Sequence, residues 1–384
     1  MRPPSRGAEG RATIRGMTVV QPTRRSPRTF GVEEEVVLLE PGTLGPVDVA
    51  HEVVAELTSS EDEGWVSHEY LKAQIEFASP VLVDADGADR VLRRFRRAVA
   101  DAAERRGLIA ASVGTPIGAG LPATSVGERY SRFDELLGAV RPDHRIQGLH
   151  VHVGVASREE GVVVLGALRP WLAPLLALSA NSPCFGGRDT AFASWRTIVG
   201  RRFTTASAPP DFADAADYDR RIRALVGLGA TIDVGSLFWM LRLSERYPTV
   251  EMRVFDAQLS ADESVATALL VRALVETAAA GELPHARAAA QPELVDAAVW
   301  HAARYGLDAD LVDPGTASAA PAWVVMGRML DVARPALEAA GDWERVEAAA
   351  ARTRAEGNGA ARQRAALERG MPQLERLVRA AFAF

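Results

Sequence analysis

Four short runs of this chain alternate between apolar and polar side chains with a period of two. They are Phe30–Leu39 (FGVEEEVVLL), Tyr70–Phe77 (YLKAQIEF), Leu149–Val155 (LHVHVGV) and Thr249–Phe255 (TVEMRVF). Such alternation predicts half-buried strands. Between them the apolar period lengthens to that of a helix. Residues 86–106 place Val91, Leu92, Phe95 and Val99 on one face and arginines on the rest, and Gly107 ends the run. Residues 262–280, 321–339, 343–356 and 359–382 read as further helices, the later ones rich in Ala, Arg and Glu. Loops are predicted at 114–127 and 203–217. No internal repeat and no regular strand–helix alternation appears, so the pattern predicts an α+β fold.

The run 161–180, GVVVLGALRPWLAPLLALSA, is apolar enough to suggest a membrane span. Arg169 sits at its centre beside Pro170, and a central arginine costs about 2.5–3.5 kcal/mol on insertion scales. The expectation is a buried helix and no membrane partner. Residues 1–29 hold seven arginines, four prolines and one acid, without periodicity. They predict a disordered Arg/Pro-rich leader, with Met17 an alternative start, followed by one catalytic domain over 30–384 ending in a helical tail. The leader lacks the apolar core of a secretory signal. The Ala-rich end, LVRAAFAF at 377–384, offers a packing surface through which a homo-oligomer could form.

Composition narrows the chemistry. The chain has 384 residues and a net charge of −6. Without the leader, 37 basic residues face 49 acidic ones, a net of −12. That balance speaks against a nucleic-acid binder. Lys72 is the single lysine, so a P-loop Gly-Lys-Ser/Thr and a kinase-type lysine strand are both absent. Phosphate chemistry would have to rely on arginine and metal. The one cysteine, Cys184, permits no intramolecular disulfide and reads as a buried small apolar residue. A cytoplasmic location fits.

Side chains two apart on a strand share a face. Glu33 and Glu35 therefore face one way and Glu34 the other. Gln74 pairs with Glu76, His150 with His152, and Glu251 with Arg253. One reading is an antiparallel sheet with a solvated face. Against it, carboxylates packed on one sheet repel unless cations lie between them. Carboxylate oxygens with some imidazole suit Mg2+ or Mn2+ better than zinc. With an arginine, such a face suits phosphoryl chemistry. A metal-dependent hydrolase built on His150 and His152 is the reading from another class.

Six ordered stretches carry a more specific signal: GVEEE at 31–35, QIEFASPV at 74–81, GLHVHVGV at 148–155, LRPWLAPLLALSANSP at 168–183, GGRDTAFASWR at 186–196 and TVEMRVFDAQ at 249–258. Together they resemble the carboxylate–amine ligase family of glutamate–cysteine ligase type 2. The resemblance implies a fold like the catalytic domain of glutamine synthetase, with a curved antiparallel sheet forming a funnel and helices packed on its outer face. It implies ATP and Mg2+ (or Mn2+) in the funnel. Glu33, Glu35, Glu69, Glu76 and Glu251 become metal ligands, with Glu35 also catalytic. His150 and Arg253 become catalytic residues at the nucleotide phosphates, and Arg196 a further nucleotide contact. Lys72, two residues before Gln74 on the same predicted face, is placed by that alternation at the nucleotide as well. Asn181, Asp189 and Ser194 become pocket residues, although Asn181 and Ser194 would equally serve as helix caps. Lys72 would equally lie along the surface.

The implied activity is ATP-dependent amide formation through an acyl phosphate, from glutamate or a related carboxylate and an amine such as cysteine. One segment departs from the resemblance. Where a Trp-Trp-Asp-Ile-Arg-Pro-like sequence is expected, this chain reads FWMLRL at 238–243, with Met240 at the acidic position. That change leaves room for another amino acid, amine or peptide as substrate.

Overall fold

The run Phe30–Leu39 forms the strand β1 with the predicted bounds. The computed structural model describes residues 27–57 and 63–383. Most of the predicted leader, residues 1–26, lies outside the described residues. Arg28 is described: it bonds Glu160 and Glu276 at 2.9 and 2.7 Å, so contacts with the domain begin ahead of the predicted boundary at Phe30.

Around β1 the sheet adds β2 (Trp65–His68), β3 (Gln74–Ala78), β4 (Ile109–Ala111) and β5 (Gly148–Gly154). A small hairpin, β6 (Cys184–Phe185) and β7 (Arg188–Asp189), stands apart. The sheet is completed by β8 (Leu241–Leu243) and β9 (Thr249–Asp256), and a second hairpin follows, β10 (Leu311–Asp313) with β11 (Ser318–Ala320). The strand order is β2-β3-β1-β5-β9-β8, antiparallel at every pairing, with β4 paired to the end of β1. The sheet is open.

Two strand expectations shift. Tyr70–Ala73 does not extend β3: these residues turn, and Gln74 N bonds Leu71 O at 2.9 Å. The preceding strand β2 was not predicted. It is a four-residue edge strand, mostly exposed, and shows no apolar alternation.

One sheet face is covered by helices. Ala261–Ala279 is buried along nearly its whole length, as its nearly all-round apolar sequence requires. A capping box between Ser260 and Glu263 starts it. It packs on β1 and β5, and Ala85–Glu104, Arg158–Leu168, Ala322–Ala340 and Trp343–Glu356 surround it. The suspected span belongs to this layer. Arg158–Ser179 is long and apolar enough to cross a membrane, but 78% of its most apolar stretch is buried in the fold. A 3-10 turn at Arg169–Trp171 interrupts it at Pro170. The predicted helix 359–382 is two, Gly359–Glu368 and Met371–Ala383, divided at Gly370 with φ 101°. Its apolar residues Leu374, Val378 and Phe382 are consumed within the chain. The predicted loop 203–217 stops at Asp214, which caps the helix Ala215–Gly227 by accepting from Asp217 N at 2.7 Å.

Glu34 anchors β1 to this layer. It is 0% exposed and its partner Arg96, on Ala85–Glu104, is 1% exposed. Arg96 donates from Nε and Nη2 to the two carboxylate oxygens at 2.9 and 2.5 Å. Its remaining donors reach Leu259 O and Gln258 O, each at 2.8 Å, and Ser264 Oγ donates to Glu34 at 2.6 Å. Every polar atom of the pair is thereby matched before the segment enters Ala261–Ala279. Removing one partner of such a pair strands a buried charge, which costs about 3–5 kcal/mol. Arg96→Met is therefore expected to lower the urea-unfolding free energy by about 3–5 kcal/mol, and Glu34→Leu/Arg96→Met to recover most of the loss. Equal losses in single and double variants would show that the pair is not the anchor.

Candidate active site

The other face of the sheet lines a cavity of about 1910 Å³. Strand alternation delivers its side chains: Glu33 and Glu35 from β1, Glu76 and Gln74 from β3, His150 and His152 from β5, and Glu251 and Arg253 from β9. Glu69, in the turn between β2 and β3, and Arg196, on Trp195–Gly200, complete the centre.

The acids fall into two groups. Ligand atoms of Glu33, His152 and Glu251 lie within 4.8 Å of one another, as do those of Glu35, Glu69 and Glu76. In the first group the carboxylates stay charged. Burial opposes the charge on Glu33, but the hydrogen bond from His150 and the close approach of the His152 imidazole hold it well below the usual range. Glu251 is likewise buried, and Arg253 and Arg242 hold its pKa down. Arg242 Nε meets Glu251 Oε2 at 2.7 Å, and Arg253 pairs with Oε1. Burial and the charge of Arg253 push His150 down to about 4, so it is neutral and its Nδ1 donates to Glu33 at 3.0 Å. His152 shifts the other way: burial opposes its charge, but Glu33 and Glu251 raise its pKa.

In the second group the carboxylates repel. Burial and Glu76 push Glu35 up to about 7. Burial and Glu35 push Glu69 up to about 7, and burial with Glu69 and Glu33 pushes Glu76 up to about 8. Glu35 is held in place by Gly148 N at 2.6 Å and Gln74 Nε2 at 3.0 Å.

A β-bulge sets the arginines. Opposite His150 alone, β9 carries both Arg253 and Val254. Arg196 takes the carbonyls of these two residues at 3.2 and 3.5 Å. Gly148 leaves the space it needs: a Cβ there would lie 2.5 Å from Arg196 Nη2.

Both groups fit a divalent cation. The donors are carboxylate oxygens with one imidazole, the set that suits Mg2+ or Mn2+. His152 Nε2 is buried without a hydrogen-bond partner, although it lies 3.3 Å from Glu33. An orphaned imidazole nitrogen between two carboxylates is what a ligand position looks like before loading.

Glu33, Glu35, Glu69, Glu76, His150, Arg196, Glu251 and Arg253 thus converge on one cavity. Lys72 does not. It lies in the turn before β3, where its backbone N bonds Ala123 O, so the two-residue alternation does not carry it to the cavity face. Asn181 and Ser194 are structural. Asn181 Nδ2 bonds Ser112 O and Ala257 O, and Ser194 caps Trp195–Gly200 and bonds Asp256. Asp189 is exposed and pairs with Arg364. The ligase resemblance gives no role to His152, Gln74 or Arg242, and the sequence reading gives His152 a function only through the hydrolase alternative. The first two carried the same period-two signal as their neighbours. Arg242 sits on a three-residue strand, too short to show a period.

Met240 borders the cavity as well, and its carbonyl accepts from Arg253 N at 2.8 Å. The departure in the FWMLRL segment is therefore at the site.

Comparison with known proteins agrees with this geometry. Residues 29–380 match the model of glutamate–cysteine ligase family 2. A protein of Saccharopolyspora erythraea named "Putative glutamate–cysteine ligase 2-1" is 40% identical over 343 residues, covering 89% of this chain and 90% of that protein. A relative from Salinispora arenicola with the corresponding name is 41% identical over 343 residues, with the same coverage of 89% and 90%. Among solved structures, the glutamate–cysteine ligase of Francisella tularensis in complex with AMP superposes with a TM-score of 0.67 at 12% identity, over 94% of this chain and 90% of that one. The bifunctional glutathione synthetase of Pasteurella multocida gives 0.66 at 14% identity, over 93% of this chain and 52% of that one. At those identities the structures speak for the fold, which is that of the glutamine synthetase-like ligases. The match over nearly the whole chain and the two relatives at 40% and 41% identity decide the family: the chain belongs to glutamate–cysteine ligase family 2.

Proposed function

We propose that the protein joins the γ-carboxyl group of glutamate to an amine, with cysteine as the amine its relatives' names suggest, at the expense of ATP. The observation that carries this reading is the pair of three-ligand groups around Arg253 in one cavity. A carboxylate is a poor electrophile, and phosphorylation supplies its leaving group. A glutamate carboxylate oxygen bonds the γ-phosphorus of ATP as the bond to ADP breaks. The amine nitrogen then bonds the acyl carbon, phosphate leaves and the nitrogen loses a proton.

Glu33, His152 and Glu251 would hold one divalent cation and Glu35, Glu69 and Glu76 another. Bound Mg2+ or Mn2+ supplies charge neutralisation at the phosphate oxygens. Arg253 faces the centre with Glu251 fixing its guanidinium, and it offsets charge on the transferring phosphoryl group. His150, neutral and donating from Nδ1 to Glu33, orients that carboxylate and keeps Nε2 as an acceptor facing the centre. Arg196 adds positive charge beside Glu35. The single buried thiol and the need for ATP fit a reducing cytoplasm. Met240 at the cavity favours a second reading, the same chemistry on an amine other than cysteine.

Phosphate release from Mg-ATP is expected to require both glutamate and an amine, with the amide visible by product mass. Release without either substrate would contradict the ligase. Glu35→Gln should abolish turnover while leaving the fold intact by circular dichroism. Arg253→Ala should lower kcat by about 10³-fold or more, and a variant of undiminished rate would remove that residue from the phosphoryl step.

The raised carboxylates make a further prediction with a definite sign. Glu35, Glu69 and Glu76 keep their protons in the folded chain up to about 7, 7 and 8, above their unfolded range. Their protonated forms stabilise the metal-free fold at low pH, and that stability is lost as pH rises through those values. The metal-free Tm should fall from about pH 5 to about pH 8. Saturating Mn2+ should flatten the fall, and its affinity should rise over the same range as protons are released. A Tm that climbs with pH in the metal-free protein would contradict the crowding of these carboxylates.

A further inference from the structure

Along β1 the cavity runs from Phe30 to Glu35, and its two ends differ. Near Phe30 it is open: Trp65, Val81 and Val83 are 50%, 77% and 61% exposed. Beyond Glu35 it is closed on one side by an aromatic wall, with the side chains of Arg129 and Asp233 62% and 48% exposed at its rim. Phe133 and His144 there are 8% and 4% exposed, and Met240, 8% exposed, lines the cavity beside Arg253. Phe133, His144 and Phe238 pack on one another with ring centroids 5.5–5.9 Å apart. Ile232 and Tyr130 extend this wall. The only polar atoms the imidazole brings are its two nitrogens, and Nδ1 is buried without a partner. Burial and the charge of Arg196 push His144 down to about 4, so the ring is neutral. Burial holds Tyr130 up at about 12, so it too is neutral.

The ligase reading above requires three ligands, and this inference rests on that reading. A nucleotide is the largest, with a base and ribose that keep polar edges in water, and the open end suits it. The acyl group must lie at the centre, between the two carboxylate groups and Arg253. The closed end is left for the amine. A charged side chain there would be buried against aromatic rings, which is costly without a partner. Met240 stands where the resemblance expects an acid, so its side chain supplies no counter-ion for a cationic substrate.

We propose that the closed end of the cavity is the amine-substrate subsite, and that it selects a primary amine whose apolar side chain, larger than that of cysteine, seats between Phe133, Ile232, Phe238 and Met240. The amine nitrogen then points back toward Glu35 and the acyl carbon. It forms the C–N bond as the bond from carbon to the phosphate oxygen breaks, and its proton passes to solvent.

The test uses the full chain with Mg-ATP, glutamate and a panel of cysteine, leucine, methionine, phenylalanine, lysine and aspartate, each product identified by mass. Leucine, methionine or phenylalanine is expected to exceed cysteine in kcat/KM by about tenfold or more. Phe238→Ala should raise the KM of the best amine by about tenfold while the KM for ATP holds. Phe238→Leu, which keeps an apolar wall, guards against a folding artefact and should lie between the two. Met240→Asp should weaken the apolar amines and improve lysine. Cysteine as the best amine would overturn the proposal and leave the ligase standing. So would an effect of Phe238→Ala on ATP alone, which would assign the recess to the nucleotide. ADP formation that depends on glutamate, without an amide from any member of the panel, would also overturn it and keep the first step. The absence of any glutamate-dependent phosphate release would instead remove the ligase reading, and this inference with it.

Discussion

The site depends on which way β1 faces. Glu33, Glu34 and Glu35 are chemically alike, yet two of them must enter the cavity and one must enter the core. A slip of a single residue would exchange them, because side chains on a strand alternate. Val32 and Val36 favour the observed register by burial, and the Glu34–Arg96 pair makes the alternative costly. Arg96 also holds the carbonyls of Gln258 and Leu259, just beyond the end of β9. One buried guanidinium thereby ties the first strand of the site to the segment that follows the last. The core and the cavity are two consequences of the same alternation.

The carboxylates on the cavity face are then forced together, and the fold answers in two ways. Around Glu33 and Glu251 it supplies charge from Arg242, Arg253 and the histidines, and those acids stay ionised. Around Glu35, Glu69 and Glu76 it supplies fewer close partners, and those acids hold protons into the neutral range. The difference follows from position. Glu251 has Arg253 on its own strand and Arg242 opposite it on β8, whereas Glu76 faces the edge strand β2, where Ser67 is its donor. A cation is welcome in both groups, for different reasons: in the first it joins an existing charge network, and in the second it displaces protons.

Much of this arrangement was legible in the chain. Period-two alternation identified the faces of β1, β5 and β9 and most of the acids. Ordered motifs supplied the family resemblance and, with it, Glu69 and Arg196. Where the reading failed, the local signal was weak or pointed elsewhere. Lys72 continued the alternation of YLKAQIEF on paper, but the backbone turns at Leu71–Ala73 under hydrogen bonds from Ala50 and to Ala123, which are distant in sequence. Asn181 and Ser194 sit in motif stretches because Asp256 and the chain around it need partners, not because they reach a ligand. Arg242 and His144 lie on elements too short or irregular to show any period.

By itself, then, the sequence determined the strand faces, the apolar helix that covers them and the kind of chemistry the acids support. Those follow from local stereochemistry and from which residue types alternate. Only the tertiary structure decided which carboxylates share a ligand group, that Arg242 grips Glu251, that a bulge in β9 hands its carbonyls to Arg196, and that the cavity closes over an aromatic recess beside Met240. Each of these joins residues far apart in the chain, and such contacts are set by packing and by the pairing of buried charges, which no local pattern encodes.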